Sequence, residues 1–141
     1  MFDELKRYKK KGHFFFRKED SLAQVSKAVP ELPGIYYIIR LAKGRVELGY
    51  MGKSEASTTA GSTKNKMLKQ SINGLQRFLN NRMSGADIDA LDIYWFVTMD
   101  AANNDLPGYV EGLIMQRFYD VQGRLPEWNT GANSILEYES N

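Results

Sequence analysis

The sequence predicts a small α/β domain of the α+β, sandwich-like kind: a three-stranded, mostly antiparallel sheet flanked by helices. Three observations carry this prediction. Gly34 to Leu48 reads as a β-hairpin, and Leu91 to Thr98 reads as an almost wholly apolar strand. Two stretches, Lys64 to Leu79 and Asp105 to Val121, repeat apolar residues at helical spacing. At 141 residues and 43% apolar content, the chain can bury one compact core and is too short for two ordinary domains.

Taken in order, residues 1–33 form a basic extension with a short helix that packs on the domain, 34–130 form the domain itself, and 131–141 form a tail. Phe14, Phe15 and Phe16 interrupt the basic run and anchor it. His13 beside them reads as a local hydrogen-bonding residue. Ser21 is a suitable N-cap for a helix through Leu22, Val25 and Val29, which Pro30 and Pro33 stop. Gly34 to Leu41 is rich in β-branched and aromatic residues, Lys43-Gly44 signals a turn, and Arg45 to Leu48 alternates before Gly49-Tyr50-Met51-Gly52. Ser54 to Thr63 has no hydrophobic period and reads as a mobile surface loop.

Leu68, Ile72, Leu75 and Leu79 then mark one helical face, which Asn73-Gly74 can split into two short helices. The strand through Tyr94-Trp95-Phe96 is apolar on both faces, as a central strand must be. Asp105 as N-cap and Pro107 at the first turn open a last helix. Its Val110, Leu113, Ile114 and Val121 are expected to face the core, with Gly123 after its end.

Composition excludes several chemistries. No stretch approaches the roughly twenty apolar residues of a membrane span, and the N-terminus lacks the apolar run of a signal peptide, so the expectation is a soluble, cytoplasmic protein without a membrane partner. Cysteine is absent and His13 is the single histidine, so any metal must sit on oxygen ligands. The net charge is only +2, but its distribution is uneven. Lys6, Arg7, Lys9, Lys10, Lys11, Arg17 and Lys18 crowd the start, and Lys64, Lys66, Lys69, Arg77 and Arg82 follow one another without an acid. Such zones suit phosphate contact, and they equally suit solvated helix faces.

The joints between these elements carry the functional signal. Gly34-Ile35-Tyr36 opens the first strand, Tyr50-Met51-Gly52 ends the second, Lys53 follows, Glu111 lies on the last helix and Asn129 follows Pro126. Over about Pro33 to Asn129 this set resembles the GIY-YIG nuclease family, named for two such tripeptides on adjacent strands. Asp105-Leu106-Pro107, Val110-Glu111-Gly112 and Leu125-Pro126-Glu127-Trp128-Asn129 look like the matching neighbourhoods of a group of short stand-alone members.

The resemblance implies a metal-dependent DNA endonuclease, or a catalytically impaired relative that keeps the fold as a DNA-binding or partner-binding module. It further implies that Tyr36 and Tyr50 approach one face of the sheet and that one of them, as general base or as positioner, handles the attacking water. A phenol of pKa about 10 needs a nearby cation to act as base, and Lys53 is the nominee. Glu111 is the implied ligand for Mg²⁺ or Mn²⁺, because one carboxylate with several waters suits a metal that keeps its hydration shell. Asn129 is expected to support the backbone near the site.

Family members place an arginine in a Leu-x-x-Arg-aliphatic setting to bind the scissile phosphate. Leu68-Lys69-Gln70-Ser71-Ile72 offers that setting with Ser71 in the arginine's place. Arg77 is the alternative if the helix breaks at Asn73-Gly74, with Lys69 next, while Lys64, Lys66, Lys69 and Ser71 are the expected further contacts to DNA.

Overall fold

The computed structural model describes residues 2–54, 56–59, 62–65, 67–85 and 87–130, without the side chains at 56–59 and 62–65. Along the chain, a 3₁₀ turn at Asp3–Leu5 leads into β1 (Lys11–Phe16), α1 (Leu22–Val25), β2 (Gly34–Ala42) and β3 (Arg45–Lys53). Then come β4 (Ala56–Thr59), β5 (Ser62–Asn65), α2 (Leu68–Asn73), α3 (Gln76–Met83), β6 (Ala90–Val97), α4 (Pro107–Gln122) and a closing 3₁₀ turn at Glu127–Asn129.

The architecture is α+β, and its main sheet has four strands in the order β1-β6-β2-β3, each neighbouring pair antiparallel. The expected count of three is corrected by β1, which comes from the segment read as a basic extension. Its Gly12, Phe14 and Phe16 alternate with exposed Lys11, His13 and Phe15, so the three phenylalanines divide between the two faces instead of anchoring together. Phe16 is fully buried while Phe15 is 45% exposed. β6 lies between β1 and β2, which explains why it is apolar on both sides.

The β2–β3 hairpin closes through Lys43 and Gly44, at φ 40° and 77°. Positive φ at both central residues gives a two-residue turn whose twist matches that of the strands. The stretch expected to be a mobile loop instead contains a second, two-stranded antiparallel sheet, β4 with β5, pairing Thr58 with Thr63 and Thr59 with Ser62. Its β-branched threonines favour extended backbone even without a hydrophobic period.

Two cores flank the main sheet. Tyr36, Ile38, Tyr50, Ile93 and Trp95 pack beneath Leu68, Ile72, Leu75, Phe78 and Leu79 of the α2–α3 layer. On the other side Ile35, Tyr37, Leu48, Met51 and Phe96 meet Val110 and Ile114 of α4, together with Phe2, Leu5 and Tyr8. Leu113 and Val121 were expected to join that face, but they are 41% and 71% exposed. Asp105 does not cap α4, whose N-cap is Leu106. The Tyr8 hydroxyl donates to the Asp105 carboxylate instead, at 2.7 Å. α1 stops at Val25, and Val29 reaches the core from the turn beyond it. Among the described residues no helix is long and apolar enough to cross a membrane.

Candidate active site

The first tripeptide interlocks with the second. In register, Tyr36 faces Gly52 across the β2–β3 pair, and a Cβ placed on Gly52 would collide with the Cζ and hydroxyl of Tyr36. The phenol of one motif therefore occupies the space left by the glycine of the other. A Cβ on Gly34 would likewise collide with the Phe96 carbonyl oxygen. Gly52→Ala should consequently destabilise the protein by about 1–3 kcal/mol, the usual cost of overpacking, readable as a lower thermal midpoint. An unchanged midpoint would mean that the Tyr36 ring moves away freely.

Tyr50 reaches the same face only because β3 carries an irregularity. Ile38 pairs with Tyr50 but Ile39 pairs with Leu48, which leaves Gly49 as an extra residue. Regular alternation would put Leu48 and Tyr50 on one side. The bulge shifts the phase, so Leu48 packs towards α4 and Tyr50 packs beside Tyr36 with ring centroids 6.2 Å apart. Both tyrosines are buried, at 3% and 6% exposure.

Asn129 binds the middle residue of the second tripeptide. Its Oδ1 accepts from the Met51 N–H at 2.9 Å and its Nδ2 donates to the Met51 carbonyl at 3.0 Å. β3 is an edge strand, so the amide supplies the two hydrogen bonds another strand would make there. Trp128, 4% exposed, holds the segment down.

Lys53 falls on the opposite side of β3 from Gly52. Its ammonium lies 3.4 Å from where a Cβ on Gly108 would sit, against the first turn of α4. Glu111 follows Gly108 by three residues, hence on the same helix flank, and is half-buried. Lys53 thus stands on Glu111's side and not over either phenol ring, a placement that does not support its expected role as the cation acting on a phenol. The nominated residues form two groups, Tyr36 with Tyr50 on one face and Lys53 with Glu111 on the other. β3, which carries both Tyr50 and Lys53, is the last strand in the sheet order.

The helix does break where Asn73-Gly74 allowed it, between α2 and α3, yet Arg77 remains exposed on the outside of α3. Ser71 turns its hydroxyl inward, where it is buried and finds no hydrogen-bond partner among the described residues, and Lys69 is half-buried on α2. The side chain of Lys64, and Lys66 altogether, lie outside the described residues.

One residue that the sequence reading passed over is Arg82. Its guanidinium lies 5.2 Å from the Phe78 ring centroid, and Phe78 is 5.7 Å from Tyr50, so one line of contacts joins the arginine to the tyrosines. The signal was available: Leu79-Asn80-Asn81-Arg82-Met83 is itself a Leu-x-x-Arg-aliphatic run. Leu68 and Leu75 stand nearer the second tripeptide, so order along the chain favours their settings over this one.

Among the described residues there is no group of three or more histidines or acids that could hold a metal. Glu111 by itself is a donor suited to an ion that keeps most of its waters. No family model, curated protein or solved structure matches the chain, so a functional reading rests on these residues and their placement.

Proposed function

We propose that the chain is a metal-dependent DNA endonuclease of the GIY-YIG kind, hydrolysing phosphodiester bonds at the edge of β3. The observation that carries this reading is the interlock of Tyr36 with Gly52. It gives both tripeptides one physical reason, and the bulge at Gly49 sets the second phenol beside the first. In this reading Glu111 holds Mg²⁺ or Mn²⁺, which when bound stabilises charge on the phosphate and helps the 3′ oxygen leave. One of Tyr36 and Tyr50, as positioner or as general base, handles the attacking water, Lys53 adds positive charge beside Glu111, and Asn129 keeps the Met51 backbone in place. The basic segments meet the flanking phosphates.

Arg82 is the phosphate ligand in this scheme, because its guanidinium is a permanently charged fork on the tyrosine side of the sheet. Arg82→Ala should slow cleavage about tenfold or more, the scale of one lost charged hydrogen bond, whereas Arg77→Ala should be nearly silent. Ser71→Arg should bring no gain, since its side chain starts from a buried position. Cleavage rates on one supercoiled plasmid at fixed salt decide this, and a damaging Arg77→Ala with a silent Arg82→Ala reverses the assignment.

The direct test of the function is incubation of the protein with supercoiled plasmid and with duplex and branched DNAs, in Mg²⁺, in Mn²⁺ and in chelator. Nicking that requires the metal supports the endonuclease. Binding without cleavage of any substrate supports the second reading, a catalytically impaired DNA-binding or partner-binding module. That reading is favoured by the buried Ser71 in the first Leu-x-x-Arg-aliphatic position.

A further inference from the structure

Arg40 stands where β2, β3 and the closing 3₁₀ turn meet. Alternation along β2 puts it on the face that carries Tyr36 and Ile38, and register sets it opposite Glu47 of β3. Its side chain is only 15% exposed, and its guanidinium donates in two directions, from Nη2 to the Glu47 carboxylate at 2.6 Å and from Nη1 to the Glu127 carboxylate at 3.0 Å. The same group lies 5.3 Å from the Trp128 ring centroid. Glu127 and Trp128 belong to the turn, so one cation ties it to the β2–β3 hairpin.

The stem of Arg40 matters as much as its charge. A Cβ on Gly49 would come within 3.1 Å of Arg40 Cγ and Cδ and within 3.3 Å of Trp128 Cε3. Arginine stem and indole therefore rest on the bare backbone of the bulge that brings Tyr50 beside Tyr36. Trp128 meets Phe78 edge-on at 6.1 Å, and Phe78 meets Tyr50 at 5.7 Å. Asn129, next in the turn, binds both backbone polar groups of Met51, the residue after Tyr50.

We infer that Arg40 is a positioning residue: it latches the Glu127–Asn129 turn over the Gly49 bulge and thereby sets where Tyr50 and the Met51 backbone stand. The planar fork suits this task, because it reaches two carboxylates at once and lies over an indole, whereas a lysine offers one point charge. Ordinary surface ion pairs contribute little. This one differs in that its cation is largely out of water, and without it the two carboxylates that share it would repel each other and push the turn away from β3.

The latch stands whether or not the chain cuts DNA; its bearing on the chemistry of Tyr50 rests on the proposed function. Amide exchange of the full chain, followed by NMR, reads the latch directly. The Met51 N–H is bonded to Asn129 and exchanges when the turn lifts, whereas the Ile93 N–H, in a strand flanked by two others, needs wider unfolding. Arg40→Met keeps an unbranched stem over Gly49 and deletes the charged fork. It should speed Met51 exchange about tenfold or more relative to Ile93, the scale of one lost charged hydrogen bond. An arginine that only stabilises the whole fold would speed both amides alike.

Glu127→Gln changes an exposed carboxylate and should move the same ratio about threefold, the scale of one ion pair. If both variants leave the ratio of Met51 to Ile93 unchanged, the inference is overturned; where Arg40→Met fails to fold, Glu127→Gln decides alone. On plasmid DNA, Arg40→Met should lower kcat about tenfold or more, the kind of loss that slight misplacement of a reacting group brings, and leave KM nearly unchanged. A raised KM at unchanged kcat would make Arg40 a phosphate contact and overturn the positioning role. Where the parent cuts no DNA it is the proposed function that fails, and the exchange ratio still decides the latch.

Discussion

Glu111→Gln should abolish metal-dependent DNA cleavage while leaving the thermal midpoint within a degree or two of the original, on the order expected for a half-buried helix flank. The substitution keeps size and shape and removes the charge to which the proposed function gives the ion. Without it, positive charge at the phosphate is lost and cleavage should fall by about 10³-fold or more, several kcal/mol at roughly 1.4 per tenfold. The competing account makes Glu111 a carboxylate that complements the positive end of α4, worth about 0.3–1 kcal/mol of stability and nothing in rate. Nicking rates in Mg²⁺, measured with melting curves on the same samples, separate the two. A variant that cuts as fast as the parent, or cleavage that survives excess chelator, removes the metal assignment.

The phenols come next in expected effect. Tyr36→Phe and Tyr50→Phe keep the rings that pack beneath Leu68, Ile72 and Phe78 and delete only the hydroxyls. At least one of them should lose about 10²-fold or more in cleavage rate, the scale of a general base. Tyr36 is the stronger candidate, because its hydroxyl extends over Gly52 to the edge strand, where the Glu111 side of the sheet can be reached. Loss of one hydrogen bond costs stability only about 0.5–1.5 kcal/mol, so a large drop in rate with a small shift in melting identifies chemistry. Two variants that melt and cut like the parent would make both tyrosines packing residues.

Much of this protein was legible locally. The Lys43-Gly44 turn, the apolar β6 run and the limits of α4, from Pro107 at its first turn to Gly123 at φ 71°, follow from turn chemistry and side-chain period acting over a few residues. The tripeptides, Glu111 and Asn129 were likewise conspicuous by type and order. What the tertiary structure decided is everything that depends on a distant partner. Lys11–Phe16 becomes a strand because β6 offers it an edge, and nothing within the segment announces that edge. Tyr50 joins Tyr36 through a bulge at Gly49, a phase shift that strict alternation cannot foresee. Lys53 turns to α4 and Asn129 to Met51, because a strand's two faces and its edge meet different elements. Arg82 and Arg77 share one short helix, and only the packing of Phe78 against Tyr50 shows which arginine points towards the phenols. Period and turn residues specify which elements form, whereas faces and neighbours are set by long-range contacts whose energy appears only once the chain has closed on itself.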